Sequence, residues 1–264
     1  MQNRKILLAA GALFSLTTIN AQATVDAQTQ ANLTVTNGGL TVSDSVTSTT
    51  WTSNANLLGT LESTTPNLVQ TIIHDDPVIT DTANIYDTPP NSGTYNLTTS
   101  DFGANGQVDW WGAQAFVHYL NIIDYAGITT WQLPPTFDGS ASVGYDKTNS
   151  LLGELFNGEL GASVHGNGAY FTNIQSASYW SSTEASYNYG YAWTLNTSTD
   201  LQGYYNDFKY LNDYVWPVSS NSPIICTPTS CQPIPIQGVP EPEMFWLMLT
   251  GFGLLGIKRR IGLA

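Results

Sequence analysis

Residues 109–127 read DWWGAQAFVHYLNIIDYAG, and this stretch decides the fold class. Ala113, Phe116, Val117 and Leu120 recur at helical spacing on one face, with Ile123 at its flank. Asp109 is placed to accept from free amides in the first turn, and Gly127 follows as a stop. The spacing predicts a helix from Asp109 to Asp124. A second, shorter helix is predicted from Leu151 to Leu160, capped by Asn149 or Ser150 and ended by Gly161. Gly158 weakens it by about 1 kcal/mol relative to Ala. Beyond residue 168 the period falls to two. Tyr179-Trp180, then Tyr191, Trp193 and Leu195, then Tyr214 to Val218 read as strands. Pro217 cannot donate to a ladder, so it must lie at an edge or a strand end. Helices followed by strands predict an α+β domain, with two helices packed on antiparallel strands.

Upstream, residues 60–107 are polar. Turn signals stand at Pro66, Asp76-Pro77, Pro89-Pro90 and Asn91-Ser92-Gly93. Leu68 to Ile73 and Val78-Ile79 read as short strands within this region. Residues 24–39 form a polar N-terminal segment rich in Thr, Gln and Asn. Downstream, residues 219–238 read as a Pro-rich extended stalk that carries both cysteines. The expected domain therefore spans residues 40–218.

The 264-residue chain has a formal net charge of −13, and only 10% of its residues are charged. Soluble proteins usually carry about 25%, so Thr, Ser, Asn, Gln and Gly supply the polarity here. Five of the seven cations sit at the chain ends. Between residues 24 and 243 only Lys147 and Lys209 stand against all 20 acidic residues. Such a surface repels phosphate polymers and excludes nucleic acid as a partner. Two cysteines are too few for a disulfide-dense scaffold or a four-cysteine zinc site.

The N-terminus has the layout of a secretory signal peptide over residues 1–23. Arg4 and Lys5 precede the apolar run Ile6 to Leu16, and Ala21 and Ala23 supply the small residues of a cleavage site for signal peptidase. At the other end, Pro240, Glu241 and Pro242 precede an apolar segment at 244–257, and Lys258, Arg259 and Arg260 close it. Positive charge beyond an apolar segment holds that end in the cytoplasm. The segment is about 21 Å long as a helix, shorter than a stable span prefers. Residues 239–260 resemble the PEP-CTERM sorting signal of Gram-negative bacteria. The resemblance implies recognition and cleavage by a membrane enzyme, an exosortase, with transient membrane anchoring before release to the cell surface or medium.

Three strings stand in order inside the domain. They are Trp131-Gln132-Leu133-Pro134, Tyr179-Trp180-Ser181-Ser182-Thr183 and Val215-Trp216-Pro217-Val218. Their order and spacing resemble the Lcl C-terminal domain, a domain of unknown function in bacterial surface proteins. Leu40 to Leu58 is similar to that family's opening segment. The resemblance implies a loop-rich domain of the C-type-lectin-like and formylglycine-generating-enzyme-like class. The family usually has Arg where this chain has Gln132, and Gln cannot form a bidentate carboxylate pair. Read from the residues alone, the strings are structural. Trp131 and Leu133 flank a turn stiffened by Pro134, Trp180 is an apolar anchor, and Ser181, Ser182 and Thr183 can bond their own backbone.

Catalytic chemistry is poorly supplied. His74, His118 and His165 lack the i, i+4 spacing of a helical zinc site, and no Gly-x-Ser-x-Gly elbow is present. Formylglycine-generating chemistry needs active-site cysteines, whereas Cys226 and Cys231 lie in the stalk, where C-x4-C reads as a small disulfide loop. Asp207 and Asp213, with Asp200, Asn206 and Asn212, are the calcium candidates, although the D-x-[DN]-x-[DN]-G loop is missing and a solvated acidic loop is the competing reading. Trp and Tyr fall densely in 187–216, and aromatic faces of this kind stack on sugar rings. The expected function is that of an exported, non-enzymatic cell-surface or matrix module associated with exopolysaccharide. The alternative is a carbohydrate-active enzyme that uses the loop carboxylates.

Overall fold

The computed structural model describes residues 32–161, 168–203 and 207–234. Ala21, Ala23, Pro240, Glu241, Pro242 and the apolar segment 244–257 lie outside the described residues, as do His165 and Asn206. Among the described residues no helix is long and apolar enough to cross a membrane.

The chain opens on strands. β1 (Leu33–Thr36) and β2 (Thr41–Asp44) form an antiparallel hairpin, and Gly38 at φ 65° makes its turn. β3 (Thr49–Thr52) continues the meander. The Asp44 carboxylate accepts from the Val46 amide at 2.8 Å and fixes the turn between β2 and β3. β1 lies inside the polar 24–39 segment, and its Leu33 is buried. Strands therefore precede the helices. Each of these strands is only four residues long, too short for its alternation to stand out in a Thr-rich stretch.

α1 (Leu57–Thr64) is capped by the Asn56 side chain, which accepts from the Gly59 amide at 3.2 Å. α2 (Leu68–Asp75) corrects the expectation of a strand at 68–73. Leu68 and Ile72 are buried together one turn apart, a pairing that a short apolar run cannot reveal. β4 (Val78–Thr80) is a strand as expected, paired with β5 (Thr94–Asn96).

α3 (Trp110–Ile122) is the helix read from the sequence, and Asp109 accepts from the Gly112 amide at 2.8 Å. β6 (Trp131–Gln132) follows it. α4 (Leu151–Gly153) passes directly into a π-helical turn, Glu154–Glu159. Ser150 caps α4 through the Gly153 amide at 2.8 Å, and Gly161, at φ 73°, follows the π turn in the left-handed region.

β7 (Ser178–Glu184), β8 (Ala192–Asn196) and β9 (Leu201–Gly203) make an antiparallel three-stranded sheet. β10 (Val218–Ser220) returns to the first sheet and completes the order β1-β2-β3-β10-β6. Pro217 sits just before β10, at a strand end, and its carbonyl accepts from the Thr52 amide at 3.1 Å. The run from Tyr214 is not one continuous strand, because Tyr214 bridges to Tyr179 in the other sheet before β10 begins. β11 (Ile224–Cys226) and β12 (Cys231–Pro233) form a last hairpin, so the start of the expected stalk is folded. The result is an α+β domain with several antiparallel sheets.

Two apolar clusters hold it together. In the first, α1, α2 and α3 pack with Trp111, Trp131, Leu133 and Trp180. In the second, Trp51, Phe156, Phe171, Tyr179 and Trp216 pack with Cys231. Trp51 and Trp216 meet edge to face at 5.8 Å, a favoured aromatic geometry.

Candidate functional site: an aromatic face over a buried lysine

The three motif strings converge, and they converge in the interior. β10 pairs Val218 with Gln132 and Ser219 with Trp131. The Ser182 amide donates to the Pro134 carbonyl at 3.0 Å. Thr183 Oγ1 accepts from the Thr136 amide and donates to the Thr136 carbonyl, both at 2.9 Å. Trp131, Leu133, Pro134, Trp180, Ser181 and Pro217 are all buried, and Ser182 and Thr183 are half-buried. Trp131 gives its indole N–H to the Tyr125 carbonyl at 3.1 Å, and Trp180 gives its own to Val108 at 2.9 Å. Ser181 and Thr183 bond each other locally, as expected, but within β7 rather than in a turn. Gln132 is exposed, so the position where the family usually has Arg faces outward from the core.

The face that can meet a ligand is built by residues 207–213. This segment is held on both sides by main-chain bonds. The Ala192 amide donates to the Asp207 carbonyl at 3.2 Å, the Lys209 amide to Gly190 at 3.0 Å, and the Trp110 amide to the Lys209 carbonyl at 2.9 Å. Residues 208–211 form a turn, closed by the Leu211 amide donating to the Phe208 carbonyl at 2.8 Å. Across this turn the Phe208 and Tyr210 rings stack at 5.2 Å, while Lys209 between them is buried. Tyr191 lies 4.2 Å from Phe208, Tyr86 lies 5.0 Å from Tyr210, and Tyr187 lies 5.6 Å from Tyr191. Tyr187 is 58% exposed and Tyr210 48%, so the cluster presents ring surface to solvent.

Beneath it, Lys209 is fully buried. Its ammonium contacts Asp81 Oδ2 at 2.6 Å and also contacts Glu184 Oε1. It lies 4.2 Å from the centre of the Trp110 ring. Asp81 Oδ2 also accepts from Trp111 Nε1 at 2.9 Å and Asn84 Nδ2 at 3.0 Å. Burial pushes the Asp81 carboxyl up from its ordinary pKa, against the lowering pull of Lys209. The sequence carried one sign of this cluster, a lone cation between two aromatics in an acidic chain. Nothing local pointed to Asp81 or Glu184, which lie 128 and 25 residues from Lys209.

The calcium candidates are placed differently. Asp207 and Asp213 are half-buried, and Asp207 Oδ2 accepts from Thr194 Oγ1 at 2.6 Å. Burial raises Asp207 to about 6; burial, reinforced by Asp207, raises Asp213 to about 7. Asp200 instead accepts from the Asp146 amide at 2.9 Å. Among the described residues no group of three or more His, Cys, Asp or Glu side chains is arranged to hold a metal ion. His118 pairs with Asp76 at 2.9 Å, and Asp76 lines a shallow groove of about 420 Å³ together with Trp110 and Gln114. Cys226 and Cys231 form the expected disulfide. It belongs to the domain rather than to a free stalk. Cys231 is buried in the second apolar cluster, and Asn149 Nδ2 donates to the Pro228 carbonyl at 3.1 Å.

Compared with curated proteins and with solved structures, the chain finds no match in either set. A family model does match, covering residues 40–219 and taking in all three strings and the aromatic segment. The chain therefore belongs to the Lcl C-terminal domain family.

Proposed function

We propose that the protein is an exported, non-catalytic surface module that binds neutral extracellular polysaccharide through the face formed by Tyr86, Tyr187, Tyr191, Phe208 and Tyr210. The observation that carries this reading is the exposed ring cluster on a backbone segment anchored from below. Aromatic faces on rigid elements offer contact area at little conformational cost, and tyrosine hydroxyls can bond sugar hydroxyls. The formal charge of −13 disfavours anionic polymers and leaves neutral glycans as the fitting class. The C-type-lectin-like class that the resemblance of the three strings implies supports a binding role. In this reading signal peptidase removes residues 1–23, and an exosortase acts near Val239, after transient anchoring by 244–257.

The test is a glycan array probed with the full chain, followed by calorimetry on hits. The double variant Tyr187→Ala and Tyr210→Ala should lose binding while its melting temperature stays near that of the parent. An array without hits, or an unaffected double variant, overturns the reading. Intact mass of the surface or released protein should show both ends missing. A protein that still ends at Ala264 overturns the sorting part.

One observation favours a second reading. The raised carboxyls of Asp207 and Asp213 lie in the range of a general acid at neutral pH, as a carbohydrate-active enzyme would require. Turnover of array hits, abolished by Asp213→Asn, would establish it in place of pure binding.

A further inference from the structure

We propose that Lys209 and Asp81 become joined by an intramolecular isopeptide bond between Nζ and Cγ, with Glu184 carrying the proton that the reaction must move. Both side chains are fully buried, and Nζ lies 2.6 Å from Asp81 Oδ2. A C–O bond adds about 1.2 Å, so Nζ is no farther than about 3.8 Å from Cγ, close to attacking distance. Glu184 contacts the same nitrogen and is itself held by Thr82, through the amide at 3.2 Å and through the hydroxyl.

The rest of the pocket fits acyl chemistry better than a plain ion pair. Trp111 Nε1 and Asn84 Nδ2 both donate to Asp81 Oδ2, the arrangement that stabilises charge on that oxygen in a tetrahedral intermediate. The other oxygen, Oδ1, is buried and has no hydrogen-bond partner. An ionised carboxylate with an orphaned buried oxygen is a costly resting state. The same oxygen is the one free to leave. Burial, which shifts Asp81 toward its neutral acid, favours attack by an amine.

The step balances without a further reactant. The lone pair of Nζ forms the C–N bond to Cγ, and the Cγ–Oδ1 bond breaks. Of the three protons on the starting ammonium, one remains on the amide nitrogen and two depart with Oδ1 as water. Glu184 takes a proton from nitrogen and passes it to the leaving oxygen, and it ends as it began. Nothing is oxidised or reduced. The product replaces two buried charges with one neutral amide and leaves Oδ2 as a carbonyl that still accepts from Trp111 and Asn84.

Tandem mass spectrometry on a digest of the reduced full-length protein tests this. The wild type should yield the Asp81 peptide joined to the Lys209 peptide, lighter by one water than the two separately. The Glu184→Gln variant, which keeps the shape of the side chain, should yield them apart. Wild-type protein that returns Asp81 and Lys209 only in separate linear peptides overturns the bond and leaves an ion pair. A link that persists in Glu184→Gln overturns the role given to Glu184.

Discussion

Trp180 donates its indole N–H to the Val108 carbonyl at 2.9 Å, tying β7 to the residue that precedes the cap of α3. The ring is fully buried in the first apolar cluster. Trp180→Ala should cost about 3–5 kcal/mol, visible as a large drop in melting temperature. Trp180→Phe fills most of the volume and removes one of two bonds to the Val108 carbonyl, which keeps the Asp213 amide at 3.0 Å, so it should cost less, about 1 kcal/mol. Equal melts for Phe and wild type would remove the hydrogen bond from the account.

The disulfide should matter to the domain. Cys231 packs in the second cluster, so opening the Cys226–Cys231 loop loosens a hairpin that covers apolar surface. Closing so short a loop contributes roughly 2 kcal/mol by the chain-entropy model. Reduction should lower the melting temperature. Cys231→Ser should be worse than Cys226→Ser, because only the former buries a new hydroxyl. A melt unchanged by reductant would return the hairpin to the role of a loose tether.

Stability should fall as the pH rises from about 4 to about 7. Asp207 at about 6 and Asp213 at about 7 hold their protons more tightly in the folded state than in the unfolded chain. Below the unfolded carboxyl range both states are protonated and the difference vanishes. Through the folded values the native state must ionise against burial, and stability is lost. The effect is on the order of 3 kcal/mol per site, at about 1.4 kcal/mol for each unit between the unfolded and folded values. Melts between pH 4.5 and 8 should show the slope, and Asp213→Asn should flatten it. A rise in stability toward pH 8 would contradict the burial of these groups.

Asp109 separates two roles of one side chain. It caps α3, yet burial and the neighbouring Asp101 push its carboxyl well above the ordinary range. Asp109→Asn keeps an acceptor for the Gly112 amide and removes the charge, so it should hold or raise the melting temperature at pH 8. Asp109→Ala removes the acceptor and should cost about 1–2 kcal/mol. Matching losses in both variants would mean that the ionised carboxylate itself is required.

Much of the fold was legible where one element announces itself locally. The 109–124 helix carries its own cap and face, and Tyr179-Trp180 and Trp193 carry strand alternation. What failed did so for physical reasons. Leu68 to Ile73 is too short for its period to separate helix from strand. β1, Leu33-Thr34-Val35-Thr36, is too short for its alternation to stand out inside a polar segment. The prolines after residue 218 suggested an extended tether, while Cys231 buries itself in a core that no local pattern reveals. The candidate site was half legible. The aromatics of 187–210 were visible as composition, but Tyr86 joins them from a loop a hundred residues upstream, and the partners of Lys209 are equally distant.

The place of β10 has a consequence for how the molecule comes into being. β10 lies between β3 and β6, so the main sheet is two separate pieces until residues 218–220 arrive. Chains are synthesised from the N-terminus, and everything made earlier must wait with two open strand edges. The domain is keyed like an arch whose last stone comes from its own far end. A chain broken off before residue 218 would be a set of unpaired edges rather than a smaller version of the domain.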